Sequence, residues 1–188
     1  MSGAEGLGPV LVTGAARRIG LALAKGFAEI GRPVILHASP RSLREATAAA
    51  GARRARGARA ETVAADLSDA LEARGLIERA ESVFGPLTLL VNNASVFEPD
   101  GAEDFSLEVY ERQMAINLRA PLLLAQGFAA RLPPGAEGAG VPLGRPADLS
   151  EVVDAVMYLA RARTVTGQMI AVDSGQHLAW RTPDVQPE

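Results

Sequence analysis

Seven residues, Gly14-Ala15-Ala16-Arg17-Arg18-Ile19-Gly20, are the part of this chain best suited to chemistry, and that chemistry is the holding of a phosphate. They follow the apolar run that ends at Val12-Thr13 and lead into an amphipathic stretch, so a strand passes through a glycine turn into a helix. A phosphate is held by unpaired backbone N–H groups at a helix N-terminus, and glycines let the backbone approach it closely. The spacing is Gly-x-x-x-Arg-x-Gly. Arg18 stands where a three-glycine turn has its middle Gly, which replaces close backbone approach with a cation beside the phosphates.

A second cluster lies about 20 residues beyond the turn, where dinucleotide sites distinguish a ribose 2′-hydroxyl from a 2′-phosphate. It reads His37-Ala38-Ser39-Pro40-Arg41-Ser42. An acid there would accept from the hydroxyl; here Arg41 with Ser39 and Ser42 can hold a 2′-phosphate through charge-assisted hydrogen bonds. NADP(H) is therefore the expected cofactor. His37 is read as a strand-end residue rather than a catalyst, and no metal-ligating constellation is visible.

These residues need a scaffold that brings them to one rim, and the apolar pattern supplies it. Strands are expected at Pro9–Thr13, Pro33–His37, Thr62–Ala65 and Leu87–Val91. Between them, Ile19, Leu23, Phe27 and Ile30 recur at helical spacing up to Gly31, and a second helix runs through Leu43–Ala50. Ser68 is expected to cap a third helix, with Leu76, Ile77, Ala80, Val83 and Phe84 as its apolar face and Gly85 as its stop. Ser106 caps a long helix toward Leu132, with a kink expected at Pro121. Strands alternating with helices predict an α/β fold with a Rossmann-like doubly wound parallel sheet, whose ligands bind at the carboxyl ends of the strands. Those ends carry Gly14, His37 to Ser42, Asp66 and Asn92 to Ser95.

Composition narrows the classes further. With 188 residues, 48% hydrophobic and 22% charged, the chain is read as a single domain over 1–188 with a real core, which excludes disorder and coiled coil. A net charge near −3 gives no bulk attraction to nucleic acid or to an anionic membrane. The run Arg53-Arg54-Ala55-Arg56-Gly57-Ala58-Arg59 lacks interleaved aromatics, so it reads as a solvated helix end and loop rather than a nucleic-acid patch. Cysteine is absent, which removes disulfides, thiolate nucleophiles and cysteine metal sites. No run is apolar enough for a membrane span and no targeting segment is evident, so a cytoplasmic location is expected.

Several of these patterns, in this order, resemble the short-chain dehydrogenase/reductase family: Thr13-Gly14 through Gly20, Asp66-Leu67, Asn92-Asn93-Ala94-Ser95, Asn117 within Met114-Ala115-Ile116-Asn117-Leu118, and Thr166 through Gly175 as a last strand. Within it, the Gly-Ala-Ala-Arg-Arg-Ile-Gly turn and an Asn-Asn-Ala-Ser followed by an aromatic are most similar to pteridine reductases and dihydromonapterin reductases. The resemblance implies that Gly14, Arg17, Arg18, Ile19 and Gly20 hold the cofactor phosphates and that Asp66 and Leu67 contact adenine. It implies too that Asn93, Ala94 and Ser95 pass under the ribose. By the same resemblance Arg18 also touches substrate, and Phe97 stacks on a bound pterin. Asn117 is the one catalytic residue it supplies, holding a proton-relay water. A loop aromatic filling a gap remains the plain alternative for Phe97, and a buried Asn bracing the helix kink for Asn117.

What the resemblance requires and the chain lacks is a Tyr with a Lys one helical turn later, where the cation lowers the phenol pKa. The single Lys is Lys25; Met114 lies four residues after Tyr110 and Ala162 four after Tyr158. The gap falls between Leu132 and Asp148, where a strand, crossover helix and strand of about 30 residues or more do not fit. The sheet is thus expected to lack its fifth and sixth strands and the helix between them. A break or deletion is placed within 135–146, after which a capping box at Asp148–Glu151 reopens the family pattern. Two readings stay open: a segment of a longer enzyme is left out of this chain, or the polypeptide has a true internal deletion. The second would strip a covered parallel strand, Met169–Val172, of its neighbours.

Two functions are carried forward. One is an NADP-dependent oxidoreductase that transfers hydride to a small-molecule carbonyl or pterin-type C=N substrate. The other is a non-catalytic NADP-binding protein. The resemblance also implies a homo-oligomer, a tetramer built on the helix from Ser106 to Leu132, and places Gln176–Trp180 beside a substrate pocket or a neighbouring subunit.

Overall fold

The computed structural model describes residues 7–99, 103–131 and 158. The chain divides into two units, Met1–Ala130 and Arg131–Glu188. In the second, Tyr158 is exposed. The expected break within 135–146, the helix opening at Asp148, the strand Met169–Val172 and the segment Gln176–Trp180 lie outside the described residues.

Among the described residues four parallel strands, β1 (Val10–Val12), β2 (Val34–Ala38), β3 (Ala60–Ala64) and β4 (Leu89–Val91), form a sheet of order β3-β2-β1-β4. Val10 pairs with both Val34 and Leu89, so β1 lies at the centre between β2 and β4. The helices are α1 (Arg18–Glu29), α2 (Leu43–Arg54), α3 (Ala70–Phe84), α4 (Leu107–Met114) and α5 (Ala120–Ala129). Strand residues alternate between two cores, because successive side chains point to opposite faces. Leu11 and Ile35 pack with Leu76, Ile77 and Ala80 of α3 and Leu124 of α5. Val10, Val12, Val34 and Leu36 pack with Ala24 of α1 and Ala50 of α2. Each face is covered, which explains why these strands read as unbroken apolar runs.

Of the apolar stripe expected for α1, Phe27 is half-buried against the core, but the rest is not the buried face. Ile19 and Ile30 are 66% and 56% exposed, while Gly20 and Ala24 are buried. The reason is close approach: a Cβ on Gly20 would stand 2.4 Å from the Gly14 carbonyl oxygen. Small residues one turn apart let the helix lie against the turn, and larger ones are displaced to its flanks.

The cap of α3 also differs from expectation. Asp69, not Ser68, is the N-cap, its Oδ1 accepting from Leu71 N–H at 2.7 Å and Glu72 N–H at 3.0 Å. Ser68 instead donates its hydroxyl and its N–H to Asp66 Oδ1, at 2.7 and 2.9 Å. Ser106 caps α4 as expected, accepting from Val109 N–H. Just before Pro121, where a kink is expected, the chain forms a π-helical stretch, Ala115–Arg119, between α4 and α5. Pro121 has no N–H for the carbonyl four residues earlier, that of Asn117. Ala120 N–H accordingly bonds five residues back, to Ala115.

The basic run is engaged with its own fold. Arg54 pairs with Glu61 at 2.7 Å, Arg53 donates to the Ala49 carbonyl, and the Arg59 guanidinium lies 4.8 Å from the Phe84 ring centre. Among the described residues no helix is long and apolar enough to cross a membrane.

Candidate functional site

Because all four strands run in parallel, their carboxyl ends share one rim, and a cavity of about 1180 Å³ opens there. Its wall includes Gly14, Arg17, Arg18, Ile19 and Gly20 from the turn and α1, and Ser39, Arg41 and Ser42 from the end of β2. Asp66, Leu67, Asn93, Ala94, Ser95 and Phe97 come from the ends of β3 and β4. Every cofactor and substrate residue singled out in the sequence within the described part therefore reaches one cavity. Asn117 does not line it.

The turn is built by its glycines. Gly14 sits at φ +64°, and a Cβ there would lie 2.9 Å from Ala94 Cα, so the turn is pressed against the segment that follows β4. Thr13, buried at the end of β1, holds that segment: its Oγ1 accepts from Asn93 N–H at 2.9 Å and Ala94 N–H at 3.0 Å. Asn93 returns the contact, Nδ2 donating to the Thr13 carbonyl at 2.9 Å. Thr13 was missed as a site-building residue because it reads as one more β-branched strand position.

Arg18 occupies φ +52°, the left-handed region that costs a non-glycine residue about 1 kcal/mol or more. A strained, exposed Arg at a helix start is the kind of outlier that marks function. The N-terminus of α1 is open: its N-cap, Arg17, makes no side-chain cap bond, and no acid stands in the first turn. Asp69 and Ser106 cap α3 and α4 with their side chains. First-turn N–H groups have no intrahelical partner, so α1 alone of these three presents them, with a positive dipole end, to the cavity.

At the end of β2, Ser39 and Ser42 share a hydroxyl contact of 3.0 Å across the short turn Pro40–Ser42. Arg41 stands between them. Asp66 is held below the usual carboxylate range, first by the Ser68 hydroxyl, then by the Ser68 N–H, and in part by the charge of Arg41. Phe97 is 83% exposed, a ring on the cavity wall with a free face. Farther along, Arg112 joins Glu98 at 3.0 Å and Glu108 at 3.3 Å, an ion cluster at the wall that no spacing in the sequence announced.

Asn117 is exposed and grips Val96 from the π-helical stretch, accepting from its N–H at 2.9 Å and donating to its carbonyl at 2.7 Å. It is thus not a buried Asn; it holds Val96, a residue of the cavity wall. Lys25, the one lysine, pairs with Glu29 on the exposed side of α1 at 3.6 Å. Among the described residues no group of His, Cys, Asp or Glu gathers that could hold a metal ion.

The comparisons agree with this architecture. An uncharacterized oxidoreductase of Methylorubrum extorquens is 40% identical over 125 residues, which is 66% of this chain and 50% of that protein. The chain spans about half the length of the curated relatives it matches. FolM alternative dihydrofolate reductase 1 from Brucella suis, solved in complex with NADP, matches with 32% identity and a TM-score of 0.65 over 95% of this chain and 98% of that one. A short chain dehydrogenase from Burkholderia cenocepacia, also solved with NADP, matches with 34% identity and a TM-score of 0.62, covering 65% of this chain and 50% of that one. The family model described as short chain dehydrogenase matches residues 9–160. A central β1 carrying an open glycine turn, a four-stranded parallel sheet wound on both faces, and a match over most of the sequence make this chain a member of the short-chain dehydrogenase/reductase family.

Proposed function

We propose that this chain forms the NADP(H)-binding part of a short-chain reductase. The observation that carries the reading is the uncapped N-terminus of α1, opening with Arg17 and Arg18 into a cavity whose β2 end offers Arg41 and two hydroxyls and no acid. The first-turn N–H groups of α1 and Arg18 would hold the pyrophosphate, and Ser39, Arg41 and Ser42 the 2′-phosphate. Asp66 and Leu67 would bound the adenine, while Asn93, Ala94 and Ser95 would lie along the ribose. When bound, the cofactor supplies a hydride to a carbonyl or a pterin-type C=N bond. Phe97, exposed on the wall, would offer its face to a flat substrate, and Arg18 would lie near both ligands; the likeness to FolM supports the pterin class. Asn117 acts through Val96, by holding the wall in place, rather than by touching the reacting atoms.

A second reading rests on a specific observation. The one lysine is committed to Glu29 on α1, and no Tyr has a Lys four residues on, so these residues contain no phenol activated by a neighbouring ammonium. A chain that binds NADPH without turning it over fits that fact. The exposed Leu118 and Leu122 beside and on α5 support assembly into a homo-oligomer in either case. NADPH oxidation, followed with a dihydropterin and with a simple ketone, separates the two readings. Turnover supports the reductase; tight binding with no oxidation supports the binding protein.

A further inference from the structure

His37 is a titratable side chain that the proposed chemistry leaves unused, and it is 2% exposed at the end of β2. Its Nδ1 lies 3.1 Å from the Gly14 nitrogen and its Nε2 lies 3.1 Å from the Ala65 carbonyl oxygen. The two partners fix the ring chemically. A backbone N–H can only donate, so Nδ1 is the bare acceptor; a carbonyl can only accept, so Nε2 carries the proton. The backbone of the same residue takes the next N–H of the turn, the His37 carbonyl accepting from Ala15 at 2.8 Å. One residue therefore binds two successive N–H groups of the glycine turn and ties them to the end of β3.

We infer that His37 is a positioning residue for the phosphate turn, its neutral Nε2–H imidazole setting the place from which α1 presents its N-terminus. The inference rests on the reading of this cavity as a dinucleotide site. Gly14 is held on one side by the imidazole and on the other by Ala94, which a Cβ would meet at 2.9 Å, so the turn has no slack. A consequence follows for the ligand. The N–H groups of Gly14 and Ala15 are already taken, and the pyrophosphate is left to those of the later residues, Ala16 through Gly20. Burial pushes the imidazole pKa down to about 4, and the charge of Arg79 on α3 adds to this against the pull of the Ala65 carbonyl. The ring thus stays in the form that accepts from Gly14.

The test compares His37→Leu with His37→Asn, whose amide oxygen can stand where Nδ1 stands. NADPH and adenosine 2′-monophosphate, which lacks the pyrophosphate, are titrated against each variant. His37→Leu is expected to bind NADPH about tenfold more weakly, and adenosine 2′-monophosphate within about twofold of the unsubstituted chain. His37→Asn is expected to retain NADPH affinity within about threefold. NADPH binding unchanged in His37→Leu, an equal loss of both ligands, or an equal loss of NADPH in both variants overturns the inference. A nitrogen-15 spectrum of the imidazole in the unsubstituted chain supplies a readout that needs no variant to fold. It should show Nε2 protonated and Nδ1 bare between about pH 5 and pH 8, and a ring that titrates in that range or carries its proton on Nδ1 overturns the inference equally. Should the unsubstituted chain bind no NADPH, the cofactor reading fails, and the positioning role stands or falls on that spectrum.

Discussion

Asn117 makes a two-point contact with Val96, closing on both its N–H and its carbonyl at 2.9 and 2.7 Å although the two residues are 21 positions apart. The pairing mimics one rung of a sheet. It joins the π-helical stretch between α4 and α5 to the segment that leads from β4 along the cavity wall. The segment from Asn93 to Val96 is therefore held at both ends, by Thr13 just after β1 and by Asn117.

Replacing Asn117 with Ala removes both bonds at an exposed site, where each is worth about 1 kcal/mol or less. The expected result is amide hydrogen exchange at Val96 that is about tenfold faster, with little change at the core amides of β1. Exchange at Val96 equal to that of the unsubstituted chain would show that the contact does not order the wall.

Two glycines of α1 should respond to alanine with opposite signs. At Gly20 a Cβ would stand 2.4 Å from the Gly14 carbonyl oxygen, a backbone atom that cannot step aside, so Gly20→Ala should cost about 1–3 kcal/mol in urea unfolding. At Gly26 nothing lies within 4 Å of the added carbon, so Gly26→Ala should stabilise by about 0.5–1 kcal/mol through helix propensity. Equal effects at the two positions would contradict the close packing of α1 on the turn.

The pH dependence of stability follows from His37. Its folded pKa of about 4 lies below the ordinary 6.5, so the unfolded chain takes up the proton first as the pH falls. Stability is complete above pH 6.5 and is lost between there and pH 4, by about 3 kcal/mol at most. Asp66 acts in a lower window, since its folded pKa is depressed below 3.8, and its contribution is lost as the pH falls through that lower value. Urea unfolding at a series of pH values should show the His37 slope, and His37→Asn should flatten it. A slope that persists in the variant would assign it to another group.

Much of the architecture could be read from the sequence because β1 and β2 are covered on both faces and carry no polar side chain before Thr13 and His37. Gly31 and Gly85, at φ +78° and +90°, stop α1 and α3 where glycine allows a left-handed turn. The site was legible for the same reason that it works, since a parallel sheet collects the residue after each strand at one rim. What stayed hidden depends on three-dimensional approach. The fully buried residues of α1 are Gly20 and Ala24, which an apolar periodicity built on Ile19, Leu23, Phe27 and Ile30 passes over, although Phe27 does pack against the core. Asp69 outcompetes Ser68 as a cap because Ser68 is drawn to Asp66, a choice between adjacent residues that spacing alone does not make. Asn117 looks catalytic by resemblance, yet its contacts are with the Val96 backbone, a partner that no local pattern names.

Arg41 is the one cation between Ser39 and Ser42. Arg41→Asp should weaken NADPH binding by about tenfold or more while leaving NADH binding equal or stronger, because an acid accepts from the ribose hydroxyl and repels a 2′-phosphate. Paired isothermal titrations with the two cofactors check this; a parallel loss of both would mean that Arg41 supports the fold rather than the phosphate.

The affinity of the unsubstituted chain for NADPH relative to NADH tests the central claim most directly, since it reads the open N-terminus of α1 and the cationic end of β2 together. The account predicts binding of NADPH at least about tenfold tighter than NADH, with an advantage that shrinks as salt screens the 2′-phosphate contact. Equal affinities, a preference for NADH, or no binding of either would contradict it.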